Sequence, residues 1–317
     1  MNLKFYKTLL VVLVLMAASI IPLFLKDRYI HILIMMLFYG YLGVCWNIVG
    51  GLTGMLSLCH GTLAGVSAFI AVSLFTRLGM TPWIGMFLGA AFAGIVGMGI
   101  AHIASRYGLR SMYFALLTLS FSEIVRLLTL HWEFVGGASG LLIPISNKPF
   151  MNYQFGEKIH FYYVILAMQI MAILISYMLT KSKMGYYLMA IKENEDAAET
   201  VGVNTSKYKI AATGLSSFLT GFGGVFYAQY LMYISPDVNL SLDYSIEIVS
   251  GAILGGTGSS IGPLIGACVL QVLSELFRVF LGELGTVHLI AYGLMLMLVI
   301  MYMPKGIVGS LKELVPS

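Results

Sequence analysis

The segment Gly185–Lys209 reads GYYLMAIKENEDAAETVGVNTSKYK and is the one long polar interruption in a very hydrophobic chain. Its apolar residues recur at helical spacing, which predicts a short amphipathic helix: Leu188, Ile191, Ala198 and Val201. Hydrophobic segments precede and follow this helix, so it must lie in a loop on one side of a membrane.

The charges of this predicted helix indicate what it contacts. Acidic residues outnumber the single lysine in its centre: Glu193, Glu195, Asp196 and Glu199 against Lys192. Helices that lie on lipid instead carry mostly Lys and Arg on their polar face. A groove on a partner protein is therefore the better match.

The composition of the whole chain indicates an integral membrane protein. Of 317 residues, 59% are hydrophobic and 10% are charged, whereas a soluble domain carries about 25% charged residues. Each crossing helix needs about 20 apolar residues, so the length allows about ten spans and leaves no room for a soluble catalytic domain. Cys45, Cys59 and Cys268 lie in apolar stretches without metal-ligand spacing, which predicts small packing residues.

Apolar runs separated by charges or by Gly and Pro predict an all-α polytopic membrane protein. The predicted spans are 8–25, 29–48, 53–76, 82–104, 111–130, 159–180, 210–231, 242–257, 261–281 and 286–303. Glycine interrupts 53–76 and 242–257, which favours bent or re-entrant segments there. Residues 1–317 then form a single transmembrane domain, with a polar loop at 181–209.

Basic residues orient these spans. Alternation places most of them, including Lys4, Lys7 and Lys192, on one side of the membrane. By the positive-inside rule, that side is the cytoplasm, and it holds both termini and the 181–209 loop. No small-residue cleavage site follows the first apolar run, so we expect 8–25 to be an uncleaved span. On the other side, His131–Lys158 is too polar to span and is expected to form an ordered outer cap.

Two predicted cytoplasmic turns, Gly50–Gly54 and Gly255–Ser260, are rich in glycine and nearly uncharged. Irregular backbone of this kind can flank a translocation route, because it is tolerated at membrane depth when it lines a wet cavity. Small residues also allow helix ends to pack closely, and the composition slightly favours this second interpretation. The second turn lacks the Gly-Lys-Ser/Thr ending of a phosphate-binding loop, so it is not predicted to bind ATP.

Charged residues inside predicted spans are candidates for function because such residues are rare and usually pair or line a polar cavity. Glu123 and Arg126 lie three apart on one helix face, which is typical of an ion pair, with substrate contact as the alternative. Asp243 and Glu247 suit either an ion site or the N-terminus of a helix. The sequence favours the helix N-terminus.

Ser57 and His60 lie in the interrupted third span and are candidates for lining the pathway. His60 follows Cys59 and has no acidic residue nearby, so a hydrogen-bonded histidine is favoured over a metal ligand. No Ser-His-Asp, Cys-His or HExxH pattern stands out. The sequence therefore disfavours an enzyme and predicts no metal centre.

Five segments in order along the chain, within residues 40–312, resemble the M-type permease of bacterial branched-chain amino-acid ABC importers. They are Gly51–Gly61 (GLTGMLSLCHG), Met112–Leu119 (MYFALLTL) with Glu123–Arg126 (EIVR), Gly136–Leu141 (GGASGL), Ser245–Pro263 (SIEIVSGAILGGTGSSIGP) and Met303–Gly309 (MPKGIVG). Each is weak alone, and their order makes the resemblance specific. Cys59 and Gly61 replace the usual glycine and alanine, and Val135 and Ala138 alter the outer loop, which bears on substrate choice.

The resemblance gives the polar loop a role. Glu195-Asp196-Ala197-Ala198-Glu199, with Gly202 and the preceding Lys192, is similar to the cytoplasmic loop through which such permeases dock a separate ATPase. It implies a type II ABC importer permease fold, a heterodimer with an H-type permease and two ATPase subunits that bind the ATP. This chain would then need no cofactor of its own.

The resemblance also implies a periplasmic binding protein, the bacterial inner membrane with its lipid, no nucleic-acid partner, and transport of branched-chain or other small hydrophobic amino acids. The candidate pathway residues are Ser57, His60, Glu123, Arg126 and Glu247. An ion-coupled secondary transporter is the alternative. It would need Glu123, Asp243 and Glu247 as ion ligands.

Replacing Gly202 by Asp should uncouple or disassemble the complex, because the change adds charge and bulk at the predicted docking surface. Uptake and the amount of ATPase retained by the purified chain are the quantities to measure. Normal values of both in Gly202→Asp would contradict the role assigned to this loop.

Overall fold

The computed structural model describes residues 16–146, 149–281 and 306–314, together with 293, 294, 297 and 301. Residues 16–20 are helical and continue into the 3-10 helix Ile21–Phe24. The further α-helices are α1 (Asp27–Gly50), α2 (His60–Leu78), α3 (Pro82–Arg106), α4 (Ser111–Leu130), α5 (Lys158–Lys181), α6 (Lys183–Glu193), α7 (Glu195–Thr200), α8 (Thr205–Leu231), α9 (Pro236–Asn239), α10 (Leu242–Gly255), α11 (Gly262–Leu281) and α12 (Gly306–Leu314). The strands are β1 (Leu141–Leu142) and β2 (Tyr233–Ile234).

Seven helices in the described part of the chain are long and apolar enough to cross a membrane: α1, α2, α3, α4, α5, α8 and α11. Six of them match the predicted spans 29–48, 82–104, 111–130, 159–180, 210–231 and 261–281 to within a few residues. The predicted span 286–303 lies outside the continuously described residues, as do residues 8–15 of the predicted span 8–25 and both Lys4 and Lys7.

The predicted span 53–76 is helical only from His60 onward, so the prediction was wrong for residues 53–59. Residues 54–59 run without helix or strand toward α4. Side chains of α4 accept hydrogen bonds from this stretch, Ser111 Oγ from the Leu56 amide at 3.2 Å and Thr118 Oγ1 from the Leu58 amide at 3.0 Å. Because these partners replace intrahelical bonds, the segment tolerates burial without helical structure.

The predicted span 242–257 corresponds to α10, which has only 14 residues. Such a helix is about 21 Å long, short of the ~30 Å hydrocarbon core. It ends because Gly256 has φ of 111°, outside the helical range. Asp243 lies in its first turn, where Ser241 caps the Tyr244 amide, so the predicted helix N-terminus is present.

The single amphipathic helix predicted around 185–209 was also wrong, because two short helices replace it. Asn194 is extended, with φ of −159°, and its side chain accepts a hydrogen bond from the Ala197 amide to cap α7. Leu188, Ile191 and Ala198 are buried as predicted. Val201, placed on the same stripe, is 79% exposed because α7 stops at Thr200.

Contacts between the connecting segments show which of them lie at the same end of the helix bundle. At the α6/α7 end, Lys192 reaches Gly51 and Arg110 pairs with Asp196. At the opposite end, named the cap end, Arg28 pairs with Glu275. These contacts place the C-terminus of α1, the N-terminus of α4 and the helices α6 and α7 at one end, and the N-terminus of α1 with the second half of α11 at the other.

Residues 131–157 form an ordered cap in their described part. Strand β1 pairs antiparallel with β2, with Leu141 opposite Ile234. The Trp83 indole donates to the Phe150 carbonyl at 2.9 Å, and its ring lies 4.4 Å from that of Tyr153. Burial raises the pKa of Tyr153 far above its ordinary value, so the hydroxyl stays neutral.

Small residues bring α8 close to its neighbours α2 and α3. A Cβ on Gly224 would lie only 1.9 Å from the Ala64 carbonyl oxygen. A Cβ on Gly221 would lie 2.6 Å from Ala90 Cα. Backbone-to-backbone contact of this kind is typical of helix packing in membranes, and it makes α8 the centre of the bundle.

Replacing Gly224 by Ala should destabilise the chain by about 1–3 kcal/mol, because the added methyl group must separate α8 from α2. Gly99→Ala is the matched control, since Gly99 is exposed on α3 and a Cβ there meets nothing within 4 Å. Thermal unfolding of both variants in detergent measures the difference. Equal melting temperatures would contradict the packing described here.

Candidate functional site

The last turn of α1 carries two side chains that fold back over glycine. The Trp46 indole lies over Gly50 and donates from Nε1 to the Ser57 carbonyl at 2.8 Å. A Cβ on Gly50 would lie 2.2 Å from the Trp46 ring, and one on Gly51 would lie 1.9 Å from Asn47 Oδ1. The Gly50-Gly51 pair is therefore required because larger residues would displace both side chains.

Asn47 joins the two glycine-rich turns. Its Nδ2 donates to the Ser259 carbonyl at 3.0 Å, and its Oδ1 accepts from the Gly258 amide at 2.8 Å. Asn47 is 1% exposed. The close packing of helix ends that the sequence favours is thus present, and a role for these turns beside the route stays a prediction.

The hairpin between α10 and α11 is packed through glycine. A Cβ on Gly255 would lie 1.8 Å from the Gly262 carbonyl oxygen, and one on Gly266 would lie 2.0 Å from that of Gly251. A Cβ on Gly306, at the start of α12, would lie 2.5 Å from Gly256 Cα. These contacts join α10, α11 and α12 closely at the α6/α7 end.

Lys192 ties α6 to the end of α1. Its Nζ donates to the Gly51 carbonyl at 2.9 Å. This carbonyl lies at the C-terminus of α1, where the helix dipole favours a cation. Lys192, which we predicted to contact an ATPase, therefore has a contact within the chain.

Two acidic residues tie α7 to α8. Glu195 forms an ion pair with Lys209, which is only 5% exposed. Glu199 Oε1 accepts a hydrogen bond from Thr205 Oγ1 at 2.5 Å. Both carboxylates predicted to face a partner thus have partners within the chain.

The outward surface of α6 and α7, named the docking surface, consists of Tyr186, Met189, Glu193, Asp196, Ala197, Val201 and Gly202, all of which are exposed. Asp196 forms a well-exposed ion pair with Arg110 at 3.3 Å. Of the remaining predicted docking residues, Ala198 is buried. Exposed apolar side chains among acidic ones are typical of a surface that binds protein.

His60 lies at the centre of a buried hydrogen-bond network. Its Nε2 lies 2.7 Å from Ser216 Oγ, and its Nδ1 lies 2.9 Å from Ser57 Oγ. Ser216 donates its own hydrogen to the Cys45 carbonyl at 2.6 Å, so it must accept from Nε2. Nδ1 then accepts from Ser57. His60 is thus a satisfied core histidine that joins the start of α2 to α8 and α1.

Glu123 and Arg126 form the ion pair that the sequence favours. Arg126 Nη2 and Nε donate to the two carboxylate oxygens of Glu123 at 2.6 and 3.1 Å. Arg126 Nη1 donates to Asp237 Oδ1 at 3.0 Å. This three-residue group connects α4 to α9 near the cap. Contact of this group with substrate stays a prediction.

Glu247 has a partner on another helix. Its Oε1 accepts a hydrogen bond from Gln271 Nε2 of α11 at 3.0 Å. Within the described ranges, no three His, Cys, Asp or Glu side chains form a group that could hold a metal ion. Glu123, Asp243 and Glu247 therefore do not form one cluster there.

An apolar cleft of about 1090 Å³ lies between α2, α3 and α4 toward the cap end. Phe69, Phe92 and Phe121 contribute to its wall, and Arg77 lies at its edge. Arg77 donates to the Phe134 carbonyl at 3.4 Å and lies 5.5 Å from the Phe134 ring centroid. The cleft exists because α4 stands away from its neighbours over part of its length.

Sequence reasoning missed Asn47, Lys209, Ser216 and Asp237. Of these four residues, Asn47 is the easiest to recognise in the sequence, because it is a lone amide in an apolar run just before a glycine pair. Ser216 gives no such signal, since small hydroxyl residues are common in membrane helices.

Comparison with known proteins agrees with the motifs. A family described as branched-chain amino acid transport system / permease component matches residues 28–303. The high-affinity branched-chain amino acid transport system permease protein LivM of Escherichia coli is 26% identical over 324 residues, or 95% of this chain and 74% of LivM. LivM of Salmonella typhimurium is 26% identical over 309 residues, covering 90% and 71%.

The permease protein BraD of Pseudomonas aeruginosa, named for the same kind of high-affinity system, is 24% identical over 290 residues, covering 86% of this chain and 91% of BraD. No solved structure matches the chain. These relatives are transport permeases, not enzymes, which agrees with the sequence.

Replacing Glu195 by Gln should loosen α7 from α8, because it leaves the buried Lys209 ammonium without its carboxylate, at a cost of about 1–3 kcal/mol. Asp196→Asn is the matched control, since its ion pair is exposed and contributes little. Hydrogen exchange across 195–205 should rise only in Glu195→Gln. Equal exchange in both variants would contradict the inward role of Glu195.

Proposed function

Because the chain belongs to the family of branched-chain amino acid transport system permease components, we propose that it is one permease subunit of an ABC importer. The complex moves branched-chain or other small hydrophobic amino acids into the cytoplasm across the bacterial inner membrane. ATP bound by separate subunits drives the movement. The family match carries the proposal, and the docking surface is the structural feature that agrees with it.

Three features of the docking surface support ATPase binding. It is formed by short helices, which suit a groove on a partner. Its charge is mostly acidic, which disfavours anionic lipid. Contacts of Lys192, Glu195 and Glu199 within the chain hold it against the bundle. A firmly held surface of this kind is suited to receive movement from a partner.

A second permease subunit completes the proposed membrane complex. The relatives include both LivM and LivH proteins, which supports a system with two kinds of permease. Helix α4 leaves large apolar side chains exposed, among them Leu116, Ile124 and Leu128. Its exposed face, together with the apolar cleft beside it, suits contact with that subunit or with lipid. A periplasmic binding protein delivers substrate at the cap end.

The proposed mechanism is alternating access. ATP binding and hydrolysis move α6 and α7, and these helices move the spans that line the route. Glu123 and Arg126 lie toward the cap end, where substrate arrives, while Ser57, His60 and Glu247 lie deeper. Selectivity rests mainly with the delivery protein, because four of the five candidate pathway residues of this chain are bonded to one another in pairs, Ser57 with His60 and Glu123 with Arg126.

Replacing Val201 by Glu should release the ATPase, because it puts a charge at an exposed apolar position of the docking surface. Unlike Gly202, which has φ of 87°, Val201 can be changed without backbone strain. Ile145→Glu is the matched control, since Ile145 is 89% exposed at the cap end. Co-purification from native membranes should lose the ATPase only in Val201→Glu.

ATP depletion separates this proposal from an ion-coupled transporter. Uptake by the complex should stop when ATP is removed while the ion gradient is maintained. Uptake that survives, in a chain that purifies without an ATPase, would contradict the proposal and direct attention to Asp243 and Glu247.

A further inference from the structure

We propose that Lys192 and Asn47 act in series as a relay that carries movement of α6 to the α10–α11 hairpin. The relay rests on the proposed function, because it needs an ATPase that moves α6. Within it, Lys192 and Asn47 are positioning residues that transmit a displacement without touching substrate.

The first link joins α6 to the end of α1. Lys192 Nζ holds the Gly51 carbonyl at 2.9 Å, and a Cβ on Gly54 would lie 3.2 Å from Lys192 Cγ. The lysine stem therefore lies along the turn that follows α1, and its ammonium grips the helix end. A displacement of α6 acts directly on this turn.

The second link joins the end of α1 to the turn between α10 and α11. Asn47 uses its amide nitrogen and its amide oxygen at once, on Ser259 and Gly258. Both partner atoms belong to the backbone, so the link grips the turn itself rather than a flexible side chain. Burial of Asn47 keeps water from replacing either bond.

The third link reaches the interior. Close glycine contacts make α10 and α11 move together, and Ser245 Oγ of α10 accepts a hydrogen bond from the Gly61 amide at 3.1 Å. Gly61 follows His60, the centre of the buried network. A shift of the hairpin is thereby passed to the start of α2, beside the candidate pathway residues Ser57 and His60.

A purely structural role for these contacts predicts a different outcome. Packing of helix ends affects how much folded complex is present, but leaves the ratio of substrate transported to ATP hydrolysed unchanged. A relay instead sets that ratio. Transport per ATP is therefore the quantity that separates the two roles.

The test uses the whole complex reconstituted in liposomes with its ATPase, second permease and binding protein, and with leucine as the probe. Asn47→Leu removes both bonds but keeps the branched shape and the number of heavy atoms of the side chain, and Lys192→Met removes the ammonium. Lys192→Arg restores a cation, and Lys183→Met is the matched control because Lys183 is exposed at the start of α6. ATPase retention, ATP hydrolysis and uptake are measured for each.

The relay predicts that Asn47→Leu and Lys192→Met retain the ATPase and hydrolyse ATP, while uptake per ATP falls about tenfold, a typical coupling between sites. Lys192→Arg should recover much of the wild-type uptake per ATP, and Lys183→Met should match the wild type. The double variant should lose no more than the worse single variant, because links in series are not additive.

Other outcomes overturn the relay or the proposed function separately. A wild-type chain that retains no ATPase would refute the proposed function itself. If both variants retain the ATPase and keep the wild-type uptake per ATP, the relay is refuted and the proposed function is not. Loss of the ATPase in Lys192→Met would identify Lys192 as a docking contact instead. If Asn47→Leu failed to fold, Lys192→Met would decide the matter, since its side chain is replaced at an exposed position.

Discussion

The structure at the α6/α7 end depends on the folding of the Trp46 and Asn47 side chains over the last turn of α1. Trp46 fixes the segment that leads to α2, and Asn47 fixes the turn between α10 and α11. The two side chains can take these positions only because Gly50 and Gly51 have no Cβ that would occupy the same space. Two irregular segments thereby gain partners for their backbone groups at the end of one helix, as burial requires.

Contacts within the chain change how the polar loop at 181–209 is interpreted. A row of acidic residues next to an apolar bundle suggests a surface made wholly for a partner. Instead, Glu195 and Glu199 bond to α8, and Lys192 bonds to α1. The loop thus has an inner side that anchors it and an outer side, around Val201, that is exposed.

Most of the membrane helices follow from the sequence because long apolar runs bounded by charges have few alternatives in a bilayer. The break at Asn194 does not, because a capping side chain overrides a helical pattern that continues on both sides. The late start of α2 and the short length of α10 were suspected from glycine alone, and their extent depends on contacts with other helices. Asn47 and Asp237 could not be assigned because their partners lie more than 100 residues away.

Site-specific photo-crosslinking in native membranes tests most directly whether the outer side of α6 and α7 contacts an ATPase. A photoreactive residue at Val201 should capture a protein of ATPase mass that binds nucleotide, and the same residue at Ile145 should not. Capture of lipid alone at position 201, or the same partner at both positions, would contradict this contact.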